Sequence, residues 1–143
     1  MAHDVVVVDV DGTVALMGKG EPGRRRPFEW HRVGEDDPNQ PVIDLVEILR
    51  AHYPIVYVSG RDEVCRHATQ RWLERHGAIR PGEPLFMRPA GDSRPDDQVK
   101  LEIYKRDIEP RYRVVYVLDD RDRVVRAWRS VGLTVLQVAE GNF

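Results

Sequence analysis

The residues with the most chemical potential in this sequence are carboxylates that come in closely spaced pairs. Asp9 and Asp11 stand in the run Asp9-Val10-Asp11-Gly12-Thr13, directly after the apolar stretch Val5–Val8. Two acids separated by one residue converge only if the chain turns, and Gly12 has the backbone freedom that such a turn needs. Asp119 and Asp120 form a second pair, directly after the apolar stretch Val114–Leu118. Adjacent acids repel unless a cation lies between them. A hard ion such as Mg²⁺ takes a few carboxylate oxygens and leaves the rest of its shell to water or phosphate. Zinc fits less well, because His3, His31, His52, His67 and His76 follow no ligand spacing and Cys65 is the single cysteine. Two further groups lie between the pairs. Ser59-Gly60-Arg61 follows Ile55–Val58 and offers a hydroxyl, an amide and a guanidinium, all donors to phosphate oxygens. Asp96 and Lys100 are four residues apart and so neighbours on a helix, where the lysine could neutralise both a phosphate and an anionic nucleophile.

Each group has a plain structural alternative when taken singly. Asp11 and Thr13 suit an Asx-turn with capping, Ser-Gly is a common turn, Asp96 with Lys100 is an ordinary surface ion pair, and Asp120 could cap a following helix. Their shared position decides between the readings. Short β-branched runs at Val5–Val8, Ile55–Val58, Leu85–Met87, Val114–Leu118 and Thr134–Val138 alternate with stretches of helical spacing. Val42, Leu45, Val46 and Leu49 share one helical face, Glu63–His76 carries Trp72 and Leu73, a third helix is expected over Asp96–Arg106, and a fourth carries Val124, Trp128 and Val131 before Gly132. The alternation implies an α/β fold of the doubly wound, Rossmann-like kind, with about five parallel strands and helices on both faces. Such sheets bind ligands beyond the carboxyl ends of their strands, which is where the acids, the Ser-Gly-Arg turn and the lysine fall.

One segment breaks the rhythm. Residues 18–40 are rich in Gly, Pro and charge and separate the first strand from its helix by far more than the usual ~2–6 residues. They are too few to fold alone, so a small cap or flap beside an open site is expected. Arg24, Arg25 and Arg26 in it could follow a nucleic-acid backbone, with Phe28 or Trp30 stacking on a base; the alternative is a solvated basic loop whose aromatics tuck onto the domain.

Composition bounds the class. The chain has 143 residues, 41% hydrophobic and 32% charged, which suits one compact domain spanning residues 1–143. A net charge of −2 argues against a large nonspecific nucleic-acid footprint without excluding local phosphate recognition. Met1–Asp4 lack the basic and apolar regions of a signal peptide, and no apolar run approaches the ~20 residues of a membrane helix, so a cytoplasmic chain without membrane contact is expected. Cys65 has no partner for a disulfide and reads as a packing residue.

In their order, DVDGT, SGR, a helix lysine and a strand ending in DD, these elements resemble the haloacid dehalogenase (HAD) superfamily of phosphohydrolases. GDSRPDDQVK, VLDDRDRVVRAWRSVGL and the terminal QVAEGNF extend the resemblance, over nearly the whole chain, to the phosphatase half of phage-type polynucleotide kinase 3′-phosphatases. The resemblance implies removal of a 3′-phosphate from DNA or RNA ends with Mg²⁺. Asp9 matches the nucleophile and Asp11 the general acid and base. Ser59 and Lys100 match the phosphate-holding residues. Thr13, Gly60 and Arg61 fall on the substrate side, and Asp96 matches the acid that supports the lysine. Lys19 stands, across a gap, where the phage-type sequences have arginine. Asp119 and Asp120 match the pair that completes the Mg²⁺ site with the Asp9 carboxylate and the main-chain carbonyl of Asp11; the pattern does not choose which of the two touches the ion. No GxxxxGK[ST] loop occurs, so kinase activity is not expected, and a separate kinase or ligase could act beside this chain. A phosphatase of free nucleotides or small metabolites would use the same core. A phosphorylated receiver-type signalling domain shares the residue types but resembles a different order, with the acidic pair first, the phosphorylated Asp in the middle and the lysine last, whereas here Asp9 comes first and Asp119-Asp120 last. A non-catalytic nucleic-acid module would leave gaps among the catalytic positions, and here all are filled.

Overall fold

The computed structural model describes residues 3–18 and 21–143. Its centre is a five-stranded parallel sheet in the order β5-β4-β1-β6-β7, built from β1 (His3–Val8), β4 (Ile55–Asp62), β5 (Leu85–Arg88), β6 (Tyr112–Asp119) and β7 (Val135–Gln137). The helices are α1 (Gln40–Arg50), α2 (Arg66–Arg75), α3 (Asp96–Ile103) and α4 (Asp122–Ser130). The all-valine core of β1 explains how both faces are covered, because successive side chains on a strand point to opposite sides. Val6 and Val8 pack with Ile43 and Val46 of α1 and Trp72 and Leu73 of α2. Val5 and Val7 pack with Val99 and Ile103 of α3 and Val124 and Trp128 of α4. The uninterrupted apolar strands of the sequence are therefore the signature of a sheet buried on both sides.

Register brings the strand ends together. Val8 lies opposite Tyr57 on one side and Leu118 on the other, so Asp9, Ser59 and Asp119 emerge at one edge. The five expected strands are all present. Strand β4 runs further than the sequence suggests, through Ser59-Gly60-Arg61 to Asp62, with a register irregularity against β5 between Ser59 and Asp62. Two helices depart locally from the periodic pattern. A 3₁₀ turn over Glu63–Cys65 precedes α2, with the Asp62 carboxylate accepting from the Val64 N–H, and a π-helical turn over Tyr104–Ile108 follows α3.

Past β1 the chain turns at Gly12, whose φ of +80° is the left-handed region that glycine occupies without strain. Strands β2 (Ala15–Leu16) and β3 (Asp37–Pro38) then pair antiparallel and close the neck of the flap, which contains a 3₁₀ turn over Trp30–Glu35. Lys19 lies outside the described residues. Among the described residues, no helix is long and apolar enough to cross a membrane.

Candidate active site

Asp9 is the first residue after β1, and its amide continues the sheet ladder to the Leu118 carbonyl at 3.0 Å. The side chain is buried and held at both oxygens. Lys100 Nζ donates to Oδ1 at 2.7 Å and the Thr13 hydroxyl donates to Oδ2 at 2.9 Å. Lys100, from the middle of α3, also donates to Asp119 Oδ2 at 3.0 Å and lies 3.7 Å from Asp96 Oδ2, one helical turn earlier. The i,i+4 pair read from the sequence is thus one arm of a buried cluster. Asp119 is fixed further by the Asp120 N–H on Oδ1 at 2.8 Å and the Trp128 indole N–H on Oδ2 at 3.1 Å.

Burial, then repulsion from Asp119, pushes the Asp9 carboxyl well above the usual carboxylate range, and Lys100 offsets only part of this. Burial opposes the charge on Lys100, yet Asp119, Asp9 and Asp96 together raise it well above an ordinary lysine. Burial and the charge of Asp119 raise Asp120 to about 6. Oxygens of Asp9, Asp119 and Asp120 lie within 4.8 Å of one another. Lys100 reaches Asp9 and Asp119, whereas among the described residues no lysine or arginine pairs with Asp120. Three buried acids facing one ammonium leave a local excess of negative charge, and an all-oxygen donor set without His or Cys fits a hard divalent cation.

Two glycines allow this crowding. A Cβ on Gly12 would overlap the Asp120 carboxylate, and one on Gly60 would overlap the Asp96 carboxylate.

The Asp11 side chain sits apart from the Asp9, Asp119 and Asp120 cluster, in a network of its own. Arg61 donates to it through Nε at 3.1 Å and Nη2 at 2.7 Å, and Arg25 through Nη2 at 3.1 Å. Both guanidiniums share a second acid, Asp36, which Arg25 grips bidentately at 2.7 and 2.9 Å and Arg61 meets at 2.8 Å. The Asp36 carbonyl in turn accepts from the Trp72 indole at 2.9 Å, which ties the flap to α2. Burial alone would raise the Asp11 carboxyl, but Arg61 and Arg25 outweigh it and hold the group below its usual value. Asp36 is raised, since burial exceeds what the two arginines offset.

The sequence reading placed Thr13 and Arg61 against substrate. Here both are fully buried and engaged within the protein, Thr13 with Asp9 and Arg61 with Asp11, Asp36 and the Thr69 hydroxyl at 3.0 Å. Ser59 is also buried, its Oγ accepting from the Arg61 N–H at 3.0 Å. The run Arg24–Arg26, read from the sequence either as following a nucleic-acid backbone or as a solvated basic loop, divides. Arg24 pairs with Asp37 at 2.8 Å, Arg25 is locked in the core of the site, and only Arg26 is exposed. The role of Arg25 beside Asp11, and Asp36 altogether, were not legible, because nothing local separates Arg25 from its two arginine neighbours or Asp36 from Asp37. The Trp128 N–H was equally hidden behind a helix position that reads as plain core.

Above these groups lies a cavity of about 700 Å³. Asp9, Asp11, Gly60, Asp96, Lys100, Asp119 and Asp120 all line it. A buried carboxylate at the foot of an open cavity, beside a lysine and two more acids on a doubly wound sheet, fits the phosphatases of the HAD class that the sequence resembles. Comparison with known proteins narrows the class: residues 3–143 match the family of the polynucleotide kinase PNKP phosphatase domain, and the chain belongs to it. A protein of Autographa californica nuclear polyhedrosis virus described as a bifunctional polynucleotide kinase/RNA ligase is 36% identical over 137 residues, covering 93% of this chain and 19% of the viral protein. A chain in the structure of the Pnkp1/Rnl/Hen1 complex superposes with a TM-score of 0.91 at 30% identity, over 99% of this chain and 48% of its own. A chain in the structure of the Pnkp1/Rnl/Hen1 RNA repair complex gives 0.90 at 31%, over 99% and 44%. The chain thus spans about a fifth of the viral relative and under half of the two solved chains.

Proposed function

We propose that residues 1–143 form a single phosphatase domain, with 18–40 as its flap, that removes the 3′-phosphate from DNA or RNA ends through an aspartyl-phosphate on Asp9. The observation that carries the reading is the Asp9 carboxylate, buried between Lys100 and Thr13 yet lining the cavity. Mg²⁺ bound by Asp9, Asp119 and Asp120 would supply the positive charge that lets an anionic nucleophile approach an anionic phosphate. Lys100 contributes to the same neutralisation and fixes the direction of attack by holding Asp9 and Asp119 together. A carboxylate oxygen of Asp9 forms the bond to phosphorus while the bond to the 3′-oxygen breaks, and Asp11 gives its proton to the departing alkoxide. Asp11 then takes a proton from the water that attacks phosphorus, which releases inorganic phosphate and restores Asp9.

Arg61 and Arg25 hold Asp11 ionised in the free protein, the form that serves the second step. A phosphate dianion entering the cavity that Asp11 lines brings a like charge beside it, which favours the protonated form that serves the first step. The names of the similar proteins, which join polynucleotide kinase with RNA ligase and place Pnkp1 with Rnl and Hen1, support action on RNA ends alongside kinase and ligase activities.

The test is phosphate release with Mg²⁺ from matched oligonucleotides bearing a 3′- or a 5′-phosphate and from a 3′-mononucleotide. Strong preference for the 3′-phosphorylated oligonucleotide, abolished by chelator and by Asp9→Asn, is expected. Preference for the mononucleotide or an unrelated metabolite would leave the chemistry standing and remove the polynucleotide role.

A further inference from the structure

Two walls of the cavity take no part in the chemistry above. One is the flap, which contributes Pro27, Phe28 and Trp30; the other is the turn from β6 together with the first residues of α4, which contribute Arg121 and Arg123. Phe28 is 84% exposed, although it shares this cavity with the nucleophile. A single exposed aromatic on a mobile loop would mean little. This one is on a braced loop. The Arg25 guanidinium that touches Asp11 and Asp36 also donates to the carbonyls of Arg26 and Pro27, at 3.4 and 3.3 Å. Glu29 accepts from the Arg26 N–H at 2.7 Å, and the Trp30 ring meets Phe28 at 90° with centroids 6.2 Å apart. The ring is therefore held in place relative to Asp11 while its surface stays open to solvent.

Of the other two aromatics of the cavity, Trp30 packs edge-on against Phe28, and Phe143, although 64% exposed, is engaged by Arg121, whose guanidinium lies 5.3 Å from its centroid and donates to its carbonyl at 2.9 Å. The cations on the walls differ in the same way. Arg88 and Arg94 are committed to carbonyls and acids around them, including Gly60, Asp92 and Glu102. Among the described residues Arg123 has only a pair to Asp97 at 4.0 Å, and it is half exposed. Beside a phosphate-binding floor, an open aromatic face together with an uncommitted guanidinium match the two parts of a polynucleotide that adjoin its terminal phosphate, a base and the next backbone phosphate.

We propose that Phe28 is the stacking platform for the base of the 3′-terminal nucleotide, and that Arg123 holds the phosphate joining that nucleotide to its neighbour. The inference rests on the 3′-end reading and assigns its selectivity to these two residues. The test compares kcat/KM for a 3′-phosphorylated oligonucleotide, the 3′-mononucleotide and glycerol 2-phosphate, which has no base, in wild type, Phe28→Ala, Phe28→Trp and Arg123→Gln. Phe28→Ala should lower the preference for both base-bearing substrates over glycerol 2-phosphate by about 10-fold, the scale of one lost base–aromatic stack, and Phe28→Trp should restore it. Arg123→Gln should raise KM for the oligonucleotide alone and flatten its salt dependence by about one phosphate contact. A preference that survives Phe28→Ala, or a loss equal on all three substrates, overturns the inference and leaves the 3′-phosphatase reading intact. A wild-type enzyme that does not distinguish the oligonucleotide from glycerol 2-phosphate overturns both.

Discussion

The floor of the site and the flap above it are both made of buried charges, but they are assembled differently. The floor draws Asp9, Asp119 and Asp120 from the ends of two adjacent strands and Lys100 from the helix packed on them, so the sheet itself sets the spacing. The flap draws Arg25 and Asp36 from an irregular segment and ties them to Arg61 of β4 and Trp72 of α2 through hydrogen bonds and ion pairs. Backbone register places the first group, whereas electrostatic partners place the second. The floor should therefore keep its geometry when a charge is removed, and the flap should lose its geometry.

The largest effect expected is on the floor. Lys100→Met removes the only ammonium that reaches the acid cluster among the described residues, and kcat should fall by roughly 10²- to 10³-fold, the scale of losing one preorganised electrostatic contact. Its circular-dichroism spectrum should stay native. A spectrum showing wholesale unfolding would erase the contrast with the flap.

Asp36→Ala comes next. It leaves two buried guanidiniums short of a counter-charge, which costs about 3–5 kcal/mol when one partner of a buried pair is removed. Chemical denaturation should show the loss, and hydrogen exchange should place it in residues 21–40. Turnover should fall by up to about 100-fold, since Asp11 loses the fixed position that Arg25 and Arg61 provide. Equal exchange protection in the flaps of variant and wild type would contradict the comparison.

A smaller effect of opposite sign is expected at Asp120. Its folded-state value of about 6 lies above the unfolded value near 3.9, so the folded state binds the proton more tightly. Lowering the pH through about 6 should then stabilise the cation-free protein, and raising it should cost stability. Asp120→Asn should raise the melting temperature of the cation-free protein at pH 8 by the equivalent of about 1–3 kcal/mol and abolish further stabilisation by Mg²⁺. A variant less stable than wild type at pH 8 would mean that Asp120 is held by protein contacts rather than waiting for a cation.

What could be read in advance follows the same division. The five strands and the faces of α1 and α4 came from apolar periodicity, because the side that each residue turns to the core repeats with its own element's period, although the partners it packs on lie far away in sequence. Asp9 and the Asp119-Asp120 pair stood out because each directly follows an apolar run that has to be a strand, so their position was implied by their neighbours. Ion pairs such as Arg25–Asp36 and hydrogen bonds such as Trp128–Asp119 join residues by tertiary geometry and leave no period in the chain. The same holds for Arg61, where the residue was found but its partners Asp11 and Asp36 were not. The π-helical turn at Tyr104–Ile108 is likewise invisible to a 3.6-residue pattern. It carries Tyr104, whose ring meets the Trp128 ring edge-on at 6.0 Å.

The central claim is that phosphate passes through Asp9. Quenching the enzyme during turnover of a 3′-phosphorylated oligonucleotide with borohydride, followed by peptide mass spectrometry, reads this directly, because an acyl phosphate is reduced and a free carboxylate is not. Reduction at Asp9, absent without substrate, is the expected result. Reduction at another acid, or steady phosphate release by Asp9→Asn at the wild-type rate, would contradict it.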